Sequence, residues 1–171
     1  MATARVVKAL AAVALVNGVL YLSFHQDASA ADNVADAKKY TQDLKKSKDA
    51  KVKAEALLEL GKLAAIQKSL VADALPEIYK ALEDKDATIR AAAATCLGQC
   101  DEPSDKAVPL LLKMLKEDKD DSVKIGAIQG LASIGPDAKS ALKTLRELAA
   151  DKKSKVGKAA QKAQKAINVK N

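Results

Sequence analysis

The sequence predicts an all-α protein, and three of its features point to that fold class. Ala, Leu, Lys, Glu and Gln, which are strong helix formers, dominate from residue 31 onward. The sequence lacks runs in which β-branched and polar residues alternate, the pattern typical of a strand. Apolar residues make up 49% of the 171 residues but aromatic residues only 2%, so the core must consist of aliphatic side chains in closely packed helices.

The first 30 residues have the layout of a secretory signal peptide. Two basic residues precede an apolar run at 9–24, and an Ala-Ser-Ala sequence ends at Ala30. We therefore predict a signal peptide at 1–30 that is cleaved after Ala30, and a periplasmic or secreted domain at 31–171. If the segment is not cleaved, it would anchor the chain to a membrane, although this run is shorter than the roughly 20 residues that a span requires.

An apolar pattern repeats along the predicted exported domain. Its four anchor residues, separated by 37, 34 and 33 residues, are Val52, Ile89, Val123 and Val156. An alanine stands four residues after each anchor, and apolar residues return eight and eleven residues after it, which traces one face of a helix. The exception is Gln164, eight residues after the last anchor.

A second helix precedes each anchor. A leucine lies seven or eight residues before each one, at Leu44, Leu82, Leu115 and Leu148. Short polar segments at 45–51, 83–88, 117–122 and 150–155 separate the two helices, so each copy is predicted to be an antiparallel hairpin. Pro76 and Pro109 are predicted near the start of a first helix, and Pro103 and Pro136 mark breaks after a second helix.

Two further expectations concern the first copy. The core side of its first helix is predicted to consist of Val34, Ala37, Tyr40 and Leu44, with Lys38, Lys39 and Gln42 facing outward. The interval of 37 residues, which includes Ile66, Leu70 and Val71, suggests an extended helix or an extra turn before the second copy.

These copies resemble HEAT repeats, which are helical hairpins with an early Pro, Asp in the turn, and Val followed by Arg or Lys at the start of the second helix. The matching residues are Asp49 and Val52-Lys53 in the first copy, Asp84, Asp86 and Ile89-Arg90 in the second, and Asp118, Asp121 and Val123-Lys124 in the third. The resemblance, to a bacterial exported HEAT-repeat domain protein, implies an α-solenoid of about four antiparallel hairpins. It also implies a ladder in which turn acids and helix bases link successive units. The fourth copy departs from the pattern at Gly157 and Gln164, which suggests a solvent-facing cap.

The residue types argue against an enzyme. The only histidine, His25, lies in the predicted signal peptide, so the exported domain lacks the commonest general base and neutral metal ligand. The sequence contains no Gly-rich phosphate loop and no nucleophile beside a base. We predict no enzymatic activity, no cofactor and no metal site. A third hypothesis, an enzyme resembling the HEAT-like bilin lyases, has little support for the same reason.

The leading functional hypothesis is a monomeric scaffold that binds another envelope protein or peptide. The solenoid resemblance places its binding groove along the second helices. The solvent-facing candidates there are Glu55, Glu59, Lys62, Thr95, Gln99, Gln129 and Ser133.

The alternative is binding of a polyanion or nucleic acid, since the net charge is +7. A basic stripe on the last helix carries this hypothesis, at Lys155, Lys158, Lys162 and Lys165. The competing interpretation is an ordinary solvated capping face. Export argues against DNA as the ligand, and so does the scarcity of aromatic residues for base stacking.

Two more sets of residues allow a structural or a chemical interpretation. Cys96 and Cys100 are predicted to be buried thiols, with a disulfide as the alternative and a metal site disfavoured because histidine is lacking. Two acid–base pairs, Asp86 with Arg90 and Asp121 with Lys124, are interpreted as helix caps and surface pairs rather than as ligand-binding charges.

Overall fold

The computed structural model describes residues 18–100 and 102–168, and every regular element in those ranges is helical. The eight α-helices are α1 (Gly18–Lys46), α2 (Ala50–Ile66), α3 (Leu75–Leu82), α4 (Ala87–Gln99), α5 (Ser104–Glu117), α6 (Asp121–Ile134), α7 (Leu142–Ala149) and α8 (Lys155–Ile167). Two 3₁₀ segments, Lys68–Ala74 and Gly135–Ala141, lead into α3 and α7. The first of them is the extra turn predicted between the first two copies.

The chain divides into two compact units, Met1–Asp36 and Ala37–Asn171. Most of the predicted signal sequence lies outside the described residues, and the expected cleavage point after Ala30 falls within α1, so cleavage stays a prediction. Across the described ranges, no helix has the length and apolar character that a membrane span requires. The prediction that Val34 belongs to the core was wrong: its side chain is 42% exposed, and the residue lies in the first unit.

The second unit is an all-α solenoid of hairpins. Helices α3, α5 and α7 each pack on the helix that follows, and the second helices α2, α4, α6 and α8 pack on one another in succession. The repeat positions supply much of the core, including the four alanines Ala56, Ala93, Ala127 and Ala160. The anchors Ile89, Val123 and Val156 are buried, but Val52 is 38% exposed, in keeping with its place in a terminal repeat.

Aspartates in the turns set where the second helices begin. The side chains of Asp49, Asp86 and Asp120 accept hydrogen bonds from the backbone N–H two residues later, at 2.8, 2.7 and 2.9 Å. Each therefore satisfies a donor that the first turn of a helix leaves unpaired. Ser154 has this role for α8 by accepting from the N–H of Gly157 at 2.9 Å. Asp86 is thus a helix cap, as the sequence indicated.

The two prolines of the first helices differ in position. Pro76 lies in the first turn of α3, as predicted, where its missing N–H costs nothing. Pro109 was predicted to lie near a helix start, but it is the sixth residue of α5. The helix begins earlier, at Ser104, because Ala107 and Val108 are buried and extend the packed face toward the N-terminus. Pro109 is exposed, and because proline has no backbone N–H, α5 has one hydrogen-bond donor fewer at that position.

Glycines allow α4 and α6 to approach each other closely. A Cβ atom placed on Gly98 of α4 would lie 2.2 Å from the carbonyl oxygen of Gly130 on α6. One placed on Gly126 would lie 2.3 Å from the carbonyl oxygen of Ala91. The backbones of α4 and α6 therefore touch directly, and this spacing leaves no room for a side chain.

Candidate functional site

Two ion pairs join successive hairpins. The Nε and Nη2 atoms of Arg90 donate to the two carboxylate oxygens of Asp118 at 2.8 and 3.0 Å, while its Nη1 donates to the carbonyl oxygens of Asp84 and Lys85. Lys53 Nζ lies 3.2 Å from Asp84. A base at the start of one second helix thus pairs with an acid in the turn of the next unit, which confirms the implied ladder at two junctions.

Arg90 pairs with a carboxylate of the next hairpin rather than with one of its own turn. Its carboxylate partner is Asp118 of the next hairpin, 28 residues away, whereas Asp86 caps α4. The pair of Asp121 and Lys124 does form, at 3.8 Å, with Asp121 71% exposed. All of these residues have structural partners, so none of them is a candidate ligand contact.

The ladder should make stability depend on pH. The hydrogen bond from Arg90 is the main cause that lowers the pKa of Asp118, and the N–H of Asp120 adds to it. Because the folded-state pKa lies below the unfolded value of about 3.9, the ionised carboxylate stabilises the fold above about pH 4. That contribution is lost as the pH falls through the folded-state pKa.

We therefore expect Asp118→Asn to lower the free energy of unfolding by about 1–2 kcal/mol at pH 7. The difference from the natural chain should shrink below about pH 4, where the natural carboxylate is also losing its charge. Urea unfolding at several pH values measures both quantities. Asp121→Asn is the matched control, since its exposed carboxylate should contribute less than about 0.5 kcal/mol. Equal costs for the two variants at pH 7 would contradict the role given to the ladder.

The seven predicted partner-binding residues lie on the second helices, but they are not equally accessible. Glu55, Lys62, Gln129 and Ser133 are exposed. The Thr95 hydroxyl lies 3.1 Å from the carbonyl oxygen of Ala91 in its own helix and 3.3–3.4 Å from Gln129 and Gly126 of α6, so it is half-buried where α4 meets α6. The two other half-buried residues are Glu59, paired with Lys62 at 2.5 Å, and Gln99, whose side chain lies over Gly61.

One set of equivalent positions in the repeats forms a row across the second helices. Equivalent positions on the four second helices carry Leu58, Thr95, Gln129 and Lys162. The row therefore runs from an apolar residue on α2, through two neutral polar residues, to a cation on α8. Glu55 and the ion pair of Glu59 with Lys62 flank the α2 end of the row.

The structure brings predicted residues of both functional hypotheses together between α6 and α8. Three of the four predicted lysines, Lys155, Lys158 and Lys162, line a groove of about 520 Å³ together with Gln129. The fourth, Lys165, lies in a separate depression beside Lys152 and Gln161. The basic stripe is therefore divided, and three of its members share one groove with a residue predicted to contact a protein partner.

The residues matched by a family model cover this whole arrangement. The model for HEAT repeats matches residues 37–132 and 108–168, which together extend from within α1 to the end of α8 and include the α6/α8 groove. The chain belongs to the HEAT-repeat family. HEAT repeats generally act as scaffolds for protein–protein interaction and are typically non-catalytic. A comparison with curated proteins found no match to this chain.

The fourth HEAT repeat departs from the family pattern in a way that the structure explains. Gly157 replaces the usual base, and a Cβ atom there would lie 1.9 Å from the carbonyl oxygen of Asp151. Gln164 does not enter the core; its Nε2 donates to the carbonyl oxygen of Leu145 at 3.0 Å. The last HEAT repeat thus ends in a polar layer, as expected for a cap.

The cysteines and tyrosines of the HEAT repeats add no exposed reactive group. Cys96 and Cys100 are free thiols, 1% and 7% exposed. Hydrogen bonding with Cys100, followed by burial, raises the pKa of the Cys96 thiol, which keeps it protonated. Burial and the hydrogen bond that its hydroxyl donates to Glu102 raise the pKa of Tyr79 to about 12. Among the described residues, no group of three or more His, Cys, Asp or Glu side chains is arranged to hold a metal.

Sequence reasoning overlooked the apolar members of the candidate surface. Leu58 is 50% exposed and Ile66 is 66% exposed, both on α2. Ile125 and Ala159 face the α6/α8 groove. Leu58 could have been found from repeat register, because it is equivalent to Thr95 and Gln129. Repeat register did not identify Ile125 and Ala159, because most apolar residues on these helices are buried in the core.

Proposed function

We propose that this protein is a non-catalytic scaffold of the cell envelope that binds a protein partner along its second helices. The observation that carries the proposal is the solvent-accessible face formed by α2, α4, α6 and α8, which carries the exposed Leu58 together with charged and neutral polar side chains such as Glu55, Gln129 and Lys162. The extended surface that stacked repeats form is the one that solenoid proteins use for binding. The proposed location rests on the signal-peptide layout of residues 1–30.

Site-specific photo-cross-linking in the source organism tests the proposal. A photoreactive amino acid replaces Leu58, Gln129 or Lys162 on the second helices, and the matched controls carry it at Lys116 or Lys143 on first helices, which are equally exposed. We expect one partner to cross-link from the second-helix positions and not from the controls. Equal yields from both faces, or none from either, would contradict the scaffold role. Sequencing the N-terminus of the chain from the exported fraction checks the location, with Ala31 as the expected first residue.

The second candidate function, binding of nucleic acid or another polyanion, is favoured by the three lysines that share the α6/α8 groove. Binding through phosphates or sulfates alone must weaken steeply with salt. Retention on heparin that is lost steeply as the salt concentration rises, combined with absence of cross-links from Leu58, would favour this candidate over the scaffold.

A further inference from the structure

The α6/α8 groove combines an apolar floor with a basic edge. Side chains from both helices form the floor: Ile125, Ile128, Ala132, Ala159, Ala163 and Ala166. Lys155, Lys158 and Lys162 of α8 line one side. Gln129 is the one uncharged polar residue of the lining, and no carboxylate contributes to it. A ligand that matches this groove must offer both an apolar surface and negative charge.

The three lysines are available to an external partner. None of them lies within 4.0 Å of a carboxylate of the described residues, in contrast to Lys53 and Arg90 in the ladder. All three are exposed. Their spacing of three and four residues covers about 10 Å along α8, at 1.5 Å per residue. Carboxylates three and four residues apart on a helix of the partner would have the same spacing.

We infer that the groove binds an amphipathic helical segment of a protein partner, with aliphatic side chains on the apolar floor and a row of Asp or Glu side chains along α8. The inference rests on the proposed scaffold function and identifies the chemistry of its partner. Laying an amphipathic helix in an apolar groove is an established mode of peptide recognition, in which anchors repeat every three or four residues. Opposite charges along the edge fix the register and the direction of the bound helix.

The same features disfavour a nucleic acid as the occupant. The lining of the groove contains no aromatic or arginine side chain on which a base could stack. Its floor is aliphatic, whereas a phosphate backbone needs only the cations. A nucleic acid would therefore leave the apolar part of the groove unused.

Binding of a designed peptide to the full chain tests the inference. The probe is a fluorescein-labelled, 16-residue helical peptide with Glu and Leu on adjacent faces at spacings of three and four. The control peptide has the same composition in scrambled order. Fluorescence anisotropy should show binding of the patterned peptide at least about tenfold tighter than that of the scrambled one.

Single charge reversals on α8 locate the binding site. Lys158→Glu should weaken peptide binding about tenfold, because it sets a negative charge against the acidic row. Lys165→Glu is the matched control, on the same helix but in the other depression, and should change binding less than about twofold. Ala159→Trp, which fills the groove, should also weaken binding about tenfold, including at high salt. All three positions are at least partly exposed, so unchanged thermal unfolding serves as the folding check.

Several outcomes would overturn the inference. These are equal weakening by Lys158→Glu and Lys165→Glu, equal affinity for the two peptides, or no effect of Ala159→Trp. Displacement of the patterned peptide by single-stranded DNA in proportion to its charge would assign the lysines to a polyanion instead. Failure of the peptide test while cross-linking from Leu58 succeeds would remove this groove and retain the scaffold. Failure of cross-linking would remove the scaffold itself.

Discussion

Replacing Gly98 with alanine is expected to lower the free energy of unfolding by about 2–3 kcal/mol. The added Cβ atom would lie 2.2–2.5 Å from three backbone atoms of Gly130, a separation at which the α4 and α6 backbones must move apart. Such a shift disturbs the packing of Leu97 and Leu131, both fully buried beside the contact. The higher helix propensity of alanine, about 1 kcal/mol in a helix interior, offsets only part of this cost.

Gly61→Ala is the matched control, because it makes the same chemical change on α2. Its Cβ atom would meet the Oε1 atom of Gln99, the free end of a flexible side chain, and would lie 3.7 Å from the nearest backbone atom of Cys96. Gln99 can turn away, so the variant should be as stable as the natural chain or more stable by up to about 1 kcal/mol. Urea unfolding followed by circular dichroism measures both variants. Equal stability of the Gly98 and Gly61 variants would show that the backbones of α4 and α6 leave room for a methyl group at Gly98.

The second large effect is expected at Leu57, which is 0% exposed on α2. Leu57→Ala should cost about 3–4 kcal/mol, from the lost burial of the side chain and the cavity that remains. Its neighbour Leu58 is 50% exposed, so Leu58→Ala should cost less than about 1 kcal/mol.

The two substitutions also separate stability from binding. Leu58 belongs to the proposed interaction surface, so its replacement should weaken partner capture while leaving the unfolding transition nearly unchanged. Leu57→Ala should shift that transition strongly and affect capture only through the loss of folded protein. If Leu58→Ala is as destabilising as Leu57→Ala, the leucine is part of the core and is not available to a partner.

Local signals in the sequence were enough to identify the second helices of this HEAT-repeat protein and the turns that begin them. Apolar spacing of three and four residues identified the second helices, because that spacing follows from the geometry of a single helix. The turn residues Asp49 and Asp86 were identified as parts of helix-starting turns, since capping joins groups only two residues apart. The break at Gly135 was also readable, and the residue has a φ of 70°, which favours glycine.

Contacts between hairpins were decided only by the tertiary structure. Arg90 pairs with Asp118 rather than with the nearer Asp86 because stacking brings the next turn within reach of its guanidinium. The contact of Gly98 with Gly130 and the separation of Lys165 from the other three lysines arise in the same way. The period of a helix fixes which residues share a face, whereas the packing of one hairpin on the next fixes what that face meets.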